Sequence, residues 1–232
     1  MNIGFDVISD LNLSPEETFN WENKATSLYC IVAGNISDNL RTIYQTLVHL
    51  SRFYQGIFYI PGTLEYKDVE DIAERTAKLS SMCRHVAKTA ILYHNVAIID
   101  GVAIIGATGQ YNNTTNTDLK TTAELEFLGY EDITYLKNSI EKLQRHVDVK
   151  RIIIVTNSVP GIELYFGEEP GFIKNQLPLN LVLGSDTEKK VVSWIYGTYE
   201  KIVDTNFNGI NYINNSYFKR NPYWAKRVEI NF

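Results

Sequence analysis

Apolar runs of strand length alternate with amphipathic stretches of helix length through the first half of the chain. The apolar runs are short enough for strands buried on both faces, and the amphipathic stretches repeat apolar positions every three to four residues. The motif Ser14-Pro15-Glu16-Glu17 also predicts a helix start, because serine can cap and a glutamate three residues later completes a capping box. Strands are predicted over 3–9, 28–32 and 56–60, and helices over 39–54 and 68–86.

The second half is mostly strand. Asp100-Gly101 separates two alternating apolar runs, 95–99 and 102–106, and this pair favours a type I′ hairpin turn. A polar stretch at 111–122 has no periodicity and predicts a surface loop. Further predicted elements are a helix over 130–146 and strands over 151–156, 179–183, 191–196, 201–205, 209–214 and 227–232.

This order of elements favours an α/β protein with two sheets packed face to face and helices outside. We find no internal repeat, linker or low-complexity segment, so a single domain spanning 1–232 is the simplest division.

Composition excludes several classes of function. Of the 232 residues, 44% are hydrophobic and 21% are charged, and the net charge of −5 predicts neither nucleic acid nor an anionic membrane as a partner. No signal peptide or membrane-spanning run is recognisable, and no cysteine pattern suggests a disulfide framework or a zinc site. We therefore expect a cytoplasmic protein. Heavy use of Asn, Ile, Tyr and Lys is typical of AT-rich genomes such as those of phages, and for a phage protein virion association is a further expectation.

Chemistry in α/β folds concentrates in loops at strand ends. Five such loops occur, and their order and spacing resemble the five blocks of calcineurin-like metallophosphoesterases, D-x-H, G-D-x-x-D/N, G-N-H-D/E, a lone H, and G-H-x-H. The hairpin at 99–108 and the closing segment 214–230 are similar to the same family, so the resemblance covers essentially the whole chain. The loops contain Ser9-Asp10-Leu11-Asn12, Ala33-Gly34-Asn35-Ile36-Ser37-Asp38, Pro61-Gly62-Thr63-Leu64-Glu65, Thr156-Asn157-Ser158, and Trp194 to Glu200.

The resemblance implies a four-layer α/β/β/α sandwich of two mixed sheets flanked by helices. It also implies a two-metal site, in which metals polarise a phosphoryl oxygen and activate a bridging water. Most of the implied ligand positions hold residues that are poor metal ligands. By resemblance, the vestigial site consists of Asp10, Asn12, Asn35, Asp38, Thr63, Leu64, Glu65, Asn157, Thr198 and Glu200, in which Asn12, Leu64, Asn157, Thr198 and Glu200 replace histidines and Asn35 replaces the bridging aspartate.

Three hypotheses follow. The first is a catalytically inactive phosphoesterase-like protein, without cofactor, that acts as a binding or structural module through a protein partner or self-association. The second is a divergent phosphoesterase using one oxygen-ligated ion held by Asp10 and Glu200, with Asp38 as a further hard ligand. The third, a metal-free binder of a phosphorylated ligand, is disfavoured because the five loops lack basic residues.

Residues outside the blocks offer no catalytic group. The histidines lie on predicted helices, at a helix end or before a strand, and are interpreted as structural. The aromatic C-terminal region is interpreted either as cover for a sheet or as a docking surface. The histidines are His49, His85, His94 and His146, and the aromatic residues are Tyr212, Tyr217, Phe218, Tyr223 and Trp224.

Overall fold

Two mixed β-sheets face each other across a shared apolar core. The computed structural model describes residues 2–22, 24–109, 119–164, 179–218 and 222–232. The strands are β1 (Asn2–Ile8), β2 (Tyr29–Ala33), β3 (Gly56–Ile60), β4 (Thr89–Ile91), β5 (Asn95–Ile99), β6 (Val102–Ala107), β7 (Arg151–Thr156), β8 (Val191–Tyr196), β9 (Val203–Phe207), β10 (Ile210–Asn214) and β11 (Lys226–Asn231); the α-helices are α1 (Leu40–Leu50), α2 (Ile72–Arg84) and α3 (Leu119–Leu143).

The five-stranded sheet has the order β11-β1-β2-β3-β4, and the six-stranded sheet has the order β5-β6-β7-β8-β10-β9. Strands β1 to β4 are parallel to one another, as are β6, β7, β8 and β10, whereas β11, β5 and β9 are antiparallel to their neighbours. Parallel central strands bring several carboxyl ends to the same edge of each sheet, where the five loops begin.

Successive residues of each central strand enter different layers, because strand side chains alternate between faces. In β2, Ile31 packs between the sheets while Cys30 and Val32 pack outward against α1 and α2. In β6, Ile104 faces the shared core and Ile105 packs under α3. Three apolar layers therefore separate four layers of secondary structure, and the predicted α/β/β/α sandwich is confirmed.

The helix predicted to start at Ser14 does not form. The capping bond is present, since Ser14 N donates to Glu17 Oε2 over 2.8 Å, but only a turn follows. Phe19 and Trp21 are buried two residues apart and stack at 5.5 Å, which is extended rather than helical spacing. Burial of these rings overrides the local helix signal.

Two other predictions about the second half are wrong. Residues Leu179–Ser185 form a 3₁₀ helix instead of a strand, with Leu179 and Val182 buried at the three-residue period of that helix. Helix α3 begins at Leu119, so 119–122 of the predicted loop are helical, and the rest of that loop lies at 111–118, outside the described residues. The short strand β4 was not predicted.

The C-terminal aromatic residues divide between the two interpretations. Tyr212 and Tyr223 are buried, and Tyr223 donates a hydrogen bond of 2.6 Å to the Asn215 carbonyl. Phe218 and Trp224 are exposed. Within the described part of the chain, no helix combines the length and apolar character needed to cross a bilayer.

Candidate functional site

The five loops converge at one end of the sandwich. Direct hydrogen bonds join the loop after β1 to the loop after β8, and the loop after β2 to the loops after β3 and β7. Seven of the ten predicted positions therefore meet in one place: Asp10, Asn35, Thr63, Leu64, Glu65, Asn157 and Thr198.

Asp10 lies at the centre of this arrangement and is only 3% exposed. Its Oδ1 accepts hydrogen bonds of 2.8 Å from Asn35 Nδ2 and of 2.8 Å from the Thr198 backbone N–H. Its Oδ2 is buried and has no hydrogen-bond partner among the described residues. Oδ1 of Asp10 therefore accepts two hydrogen bonds from protein donors, whereas Oδ2 accepts none from the described residues.

Asn35 occupies the position where the resemblance places a metal-bridging aspartate. Its Nδ2 reaches Asp10 and also Thr198 Oγ1 at 3.3 Å, while its Oδ1 accepts from the Leu64 N–H at 2.9 Å. One amide group thus ties together the loops after β1, β3 and β8. An aspartate here would have no Nδ2 donor and would face the Asp10 carboxyl group.

Asn157 fills the space between the loops from the two sheets. Its Nδ2 donates to the Ala33 carbonyl at 3.1 Å, and its Oδ1 accepts from Thr63 N at 3.0 Å and from Thr198 Oγ1 at 2.6 Å. Its backbone groups add contacts to Thr108 and Gly197. This side chain therefore joins the two sheets by hydrogen bonds that would be absent if it were replaced by an apolar residue.

Two glycines allow the loops to pack closely around Asn157. A Cβ added at Gly62 would lie 2.7 Å from Asn157 Cγ, and a Cβ added at Gly34 would lie 2.5 Å from Asn157 Nδ2. Gly34 also has a φ of +79°, which glycine adopts without steric cost. The site is packed, and any larger residue at these positions would displace the Asn157 amide.

Glu65 is turned away from solvent and holds two loops together. Its Oε2 accepts from Asn35 N at 3.0 Å and from Gly62 N at 2.8 Å, and its Oε1 accepts from Ile36 N at 2.7 Å. Burial raises the pKa of this carboxyl group, and the Ile36 and Gly62 hydrogen bonds oppose that shift. Both carboxylate oxygens of Glu65 therefore accept hydrogen bonds from backbone N–H groups.

Burial also raises the pKa of Asp10 from 3.8 to about 7. The hydrogen bonds from Asn35 and Thr198 favour the charged form and work against this shift, while the charge of Glu65 adds to it. Near neutral pH the Asp10 carboxyl group is therefore a mixture of protonated and ionised forms.

The backbone at the site keeps conformations that side chains rarely adopt. The φ angles are 53° at Asp10, 57° at Asn35 and 58° at Thr198. Asp and Asn tolerate this left-handed region, but a β-branched residue such as threonine does not, and strain there costs about 1–3 kcal/mol. The loop after β8 thus retains a shape for which Thr198 is poorly suited.

Three predicted positions lie outside this hydrogen-bonded cluster of side chains. Asn12 is exposed and its Nδ2 donates to the Asp10 carbonyl at 3.1 Å. Asp38 and Glu200 are also exposed, whereas Asp10 is buried. The suggestion that Asp10 and Glu200 share one ion remains a hypothesis.

The residues at this site do not fit a two-metal centre. Oxygens of Asp10, Asn35 and Asn157 already accept protein hydrogen bonds, and both Glu65 oxygens do so as well. Among the described residues, no group of three or more His, Cys, Asp or Glu side chains is placed to hold a metal ion. Asp10 Oδ2 is the one carboxyl oxygen of the cluster without a hydrogen-bond partner among those residues.

An additional pair, between the half-buried His94 and the buried Asp132, was not anticipated from the sequence. His94 Nε2 lies 2.6 Å from Asp132 Oδ1, and Gly109 N donates to Asp132 Oδ2 at 2.7 Å. The His94 ring stacks between Tyr93 and Tyr135, at centroid distances of 4.4 and 4.7 Å. This pair fastens α3 to the connection between β4 and β5. An aspartate inside the apolar periodicity of α3 was the sequence signal that could have revealed it.

The surface has cavities in other places. One of about 500 Å³ lies between segment 17–22 and α1, and one of about 590 Å³ lies between α3 and the 3₁₀ helix Leu179–Ser185. Neither is lined by residues of the loop cluster.

Comparison by sequence finds no match: no protein-family model matches this chain, and no curated protein matches it. Solved structures do match. Phosphopantetheinyl hydrolase (PptH) from Mycobacterium tuberculosis is similar with a TM-score of 0.66 and 17% identity, over 98% of this chain and 96% of the hydrolase.

Two more distant structures share the architecture. A putative 5′-nucleotidase from Staphylococcus aureus matches with a TM-score of 0.57 and 14% identity, and the match spans all of this chain but about half (51%) of the nucleotidase chain. GAP50, the anchor in the inner membrane complex of Plasmodium, matches with a TM-score of 0.52 and 12% identity, over 92% of this chain and 71% of GAP50. At these identities, the likeness establishes that this chain shares the fold of these structures, and it establishes nothing about activity.

Proposed function

We propose that this chain is a single-domain, catalytically inactive protein with a phosphoesterase-type fold, which acts as a binding or structural module through protein–protein contact. It requires no cofactor. The loops that would carry metal ligands instead stabilise the junction between the two sheets. A fold commonly persists after its site is lost, because site residues are rarely those that hold the core.

The observation that carries this proposal is the Asn35 amide group between Asp10, Thr198 and the Leu64 N–H. Metal chemistry at this position needs a carboxylate that bridges two ions. An amide that donates to Asp10 and accepts from the backbone satisfies neighbouring groups directly. It therefore makes the arrangement stable by hydrogen bonds alone.

The names of the structural neighbours agree with both parts of this proposal, the phosphoesterase-type fold and the binding or structural role. PptH and the 5′-nucleotidase have names that indicate hydrolysis, whereas GAP50 is an anchor. An anchoring role within this architecture is therefore physically reasonable for a chain whose site residues have changed.

A divergent phosphoesterase with one ion is the alternative, and the free Asp10 Oδ2 favours it. A hard cation such as Mg²⁺ could use this oxygen together with water. The exposed Glu200 would have to turn toward the buried Asp10 to contribute a second carboxylate.

Turnover of p-nitrophenyl phosphate and bis(p-nitrophenyl) phosphate tests the proposal. The purified protein is assayed with Mn²⁺, Mg²⁺, Zn²⁺ or Ca²⁺ across neutral and alkaline pH, beside Asp10→Ala and Glu200→Ala. We expect all three proteins to give the same rate as buffer with metal. Metal-dependent turnover in the wild-type protein that disappears in Asp10→Ala would overturn the proposal, and its loss in Glu200→Ala as well would establish the one-ion alternative.

A further inference from the structure

Strand β5 forms one edge of the six-stranded sheet and pairs with β6 alone among the described strands. The two-residue turn Asp100-Gly101, with φ angles of 47° and 84°, makes Ile99 and Val102 the first hydrogen-bonded pair of this hairpin. Hydrogen-bonded pairs recur at every second residue of an antiparallel ladder, so Ala97 also bonds to β6. The backbone N–H and C=O groups of Val96 and Ile98 therefore point to the open edge.

The side chains of the same two residues are exposed. Val96 is 43% exposed and Ile98 is 47% exposed, whereas Ala97 and Ile99 pack against the core shared by the two sheets. Across the ladder, Val96 is opposite Ile105 and Ile98 is opposite Ala103, both of which are buried in the layer beneath α3. The apolar layer under α3 thus continues to the edge of the sheet and is exposed there.

The other edge strands of the described structure carry the features that prevent association. Proteins protect open edges with charged side chains or by keeping the strand short. Strand β11 contains Lys226, Arg227 and Glu229, strand β9 contains Asp204, and β4 has three residues. Strand β5 has five residues and no charged side chain, so it lacks both kinds of protection.

We propose that β5 pairs with β5 of a second copy of this chain, in antiparallel orientation about a twofold axis through Ala97. Val96 then lies opposite Ile98 of the second copy, and the outward N–H and C=O groups of these residues form four hydrogen bonds. Ala97 lies opposite Ala97 of the second copy as a non-hydrogen-bonded pair. The two six-stranded sheets become one continuous sheet, and the exposed Val96 and Ile98 side chains of both copies meet on one face.

Charges near the ends of β5 favour antiparallel pairing of two copies of this strand. Glu131 of α3 lies near Tyr93 at the first end of the strand, and Lys150 lies at the other end, in contact with Gly101. Antiparallel pairing brings opposite ends together, so Glu131 approaches Lys150 of the second copy. The uncharged strand between them presents no like charges to itself.

This inference rests on the proposed function, since it names the partner of the proposed protein contact. The two can fail separately. A monomer without phosphoesterase turnover would overturn the dimer alone, and a dimer with metal-dependent turnover would overturn the inactive assignment alone.

Sedimentation equilibrium over a range of protein concentrations measures the association. The wild-type protein is expected to approach twice its chain mass of 26.5 kDa, and Ile98→Lys is expected to remain at 26.5 kDa. Ile202→Lys is the matched control, because Ile202 is a 54% exposed isoleucine outside β5, and it should dimerise like the wild type. Circular dichroism confirms that each variant is folded.

A second variant tests the register. In a non-hydrogen-bonded antiparallel pair the Cα atoms are about 4.5 Å apart, within the range that a disulfide spans. Oxidised Ala97→Cys should therefore form a covalent dimer, while Ile202→Cys should not, and the native Cys30 and Cys83 are buried. A monomeric wild type, a dimer that survives Ile98→Lys, or cross-linking of Ala97→Cys no faster than that of Ile202→Cys would each overturn the proposal.

Discussion

Replacing Asp10 with asparagine probes the electrostatics of the closed site. An asparagine can keep the Oδ1 contacts, because its amide oxygen accepts from Asn35 Nδ2 and from the Thr198 N–H as the carboxylate oxygen does. Its amide nitrogen takes the position of Oδ2, which has no hydrogen-bond partner among the described residues. The φ of 53° at this position is one that asparagine tolerates. The substitution therefore removes a buried charge with little change in shape.

The sign of the effect follows from the raised pKa. Between its ordinary value of 3.8 and about 7, the folded protein keeps a proton on Asp10 that the unfolded chain has lost. Stability of the wild type therefore falls as pH rises through this window, and the full penalty is present above about pH 7. The pKa difference corresponds to at most about 4 kcal/mol. Because the new amide nitrogen also needs an acceptor, we expect Asp10→Asn to gain about 1–3 kcal/mol in alkaline solution and little in acid.

Urea unfolding followed by tryptophan fluorescence, from about pH 4 to about pH 8.5, gives the free energy of unfolding of both proteins. Their difference cancels the titration of all other groups. Asp38→Asn is the matched control, because Asp38 is an exposed aspartate in the neighbouring loop.

A loss of stability in Asp10→Asn at every pH, or a difference that does not change with pH, would refute the reasoning. The same unfolding measurement with added Mn²⁺ provides a further test. A metal bound through Asp10 would stabilise the wild type by mass action and would not stabilise Asp10→Asn. We expect Mn²⁺ to leave both unfolding curves unchanged.

Two other results are expected. Glu65→Gln should destabilise the protein by about 2–4 kcal/mol, because an amide nitrogen would replace one acceptor oxygen and face the backbone N–H of Ile36, or those of Asn35 and Gly62. Urea unfolding measures this loss. A gain in stability would show that the Glu65 contacts are not formed. Treatment with EDTA should leave the melting temperature unchanged, since Asn35 and Thr198 are satisfied by protein groups; a large drop in differential scanning calorimetry would reveal a structural ion.

Much of the fold follows from local patterns in the sequence. The hairpin at Asp100-Gly101 was predicted because only residues tolerant of positive φ suit its turn, and both φ angles are positive. The layers were predicted because continuous apolar runs of strand length require cover on both faces. Ser14 shows the limit of such arguments. Its capping bond forms, yet burial of Phe19 and Trp21 decides the backbone.

The site could be predicted as a set of positions and not as a set of contacts. The resemblance of the loop order to the five family blocks implied that Asp10, Asn35, Asn157 and Thr198 belong to one site. The roles of these residues depend on tertiary distances that no sequence spacing encodes. Glu65 is an example, since its carboxylate points inward and accepts hydrogen bonds from three backbone N–H groups of two loops. The raised pKa of Asp10 likewise arises from burial by residues distant in the chain.

Metal content of protein purified without chelator tests the central claim most directly. Elemental analysis by mass spectrometry, on protein dialysed against metal-free buffer and then against Mn²⁺, Fe²⁺ or Zn²⁺, gives the number of ions per chain. The closed network around Asn35 predicts far less than one ion per chain before and after loading. Near-stoichiometric Mn, Fe or Zn that is lost in Asp10→Ala would contradict the account, because it would show that the loops open to form a metal centre.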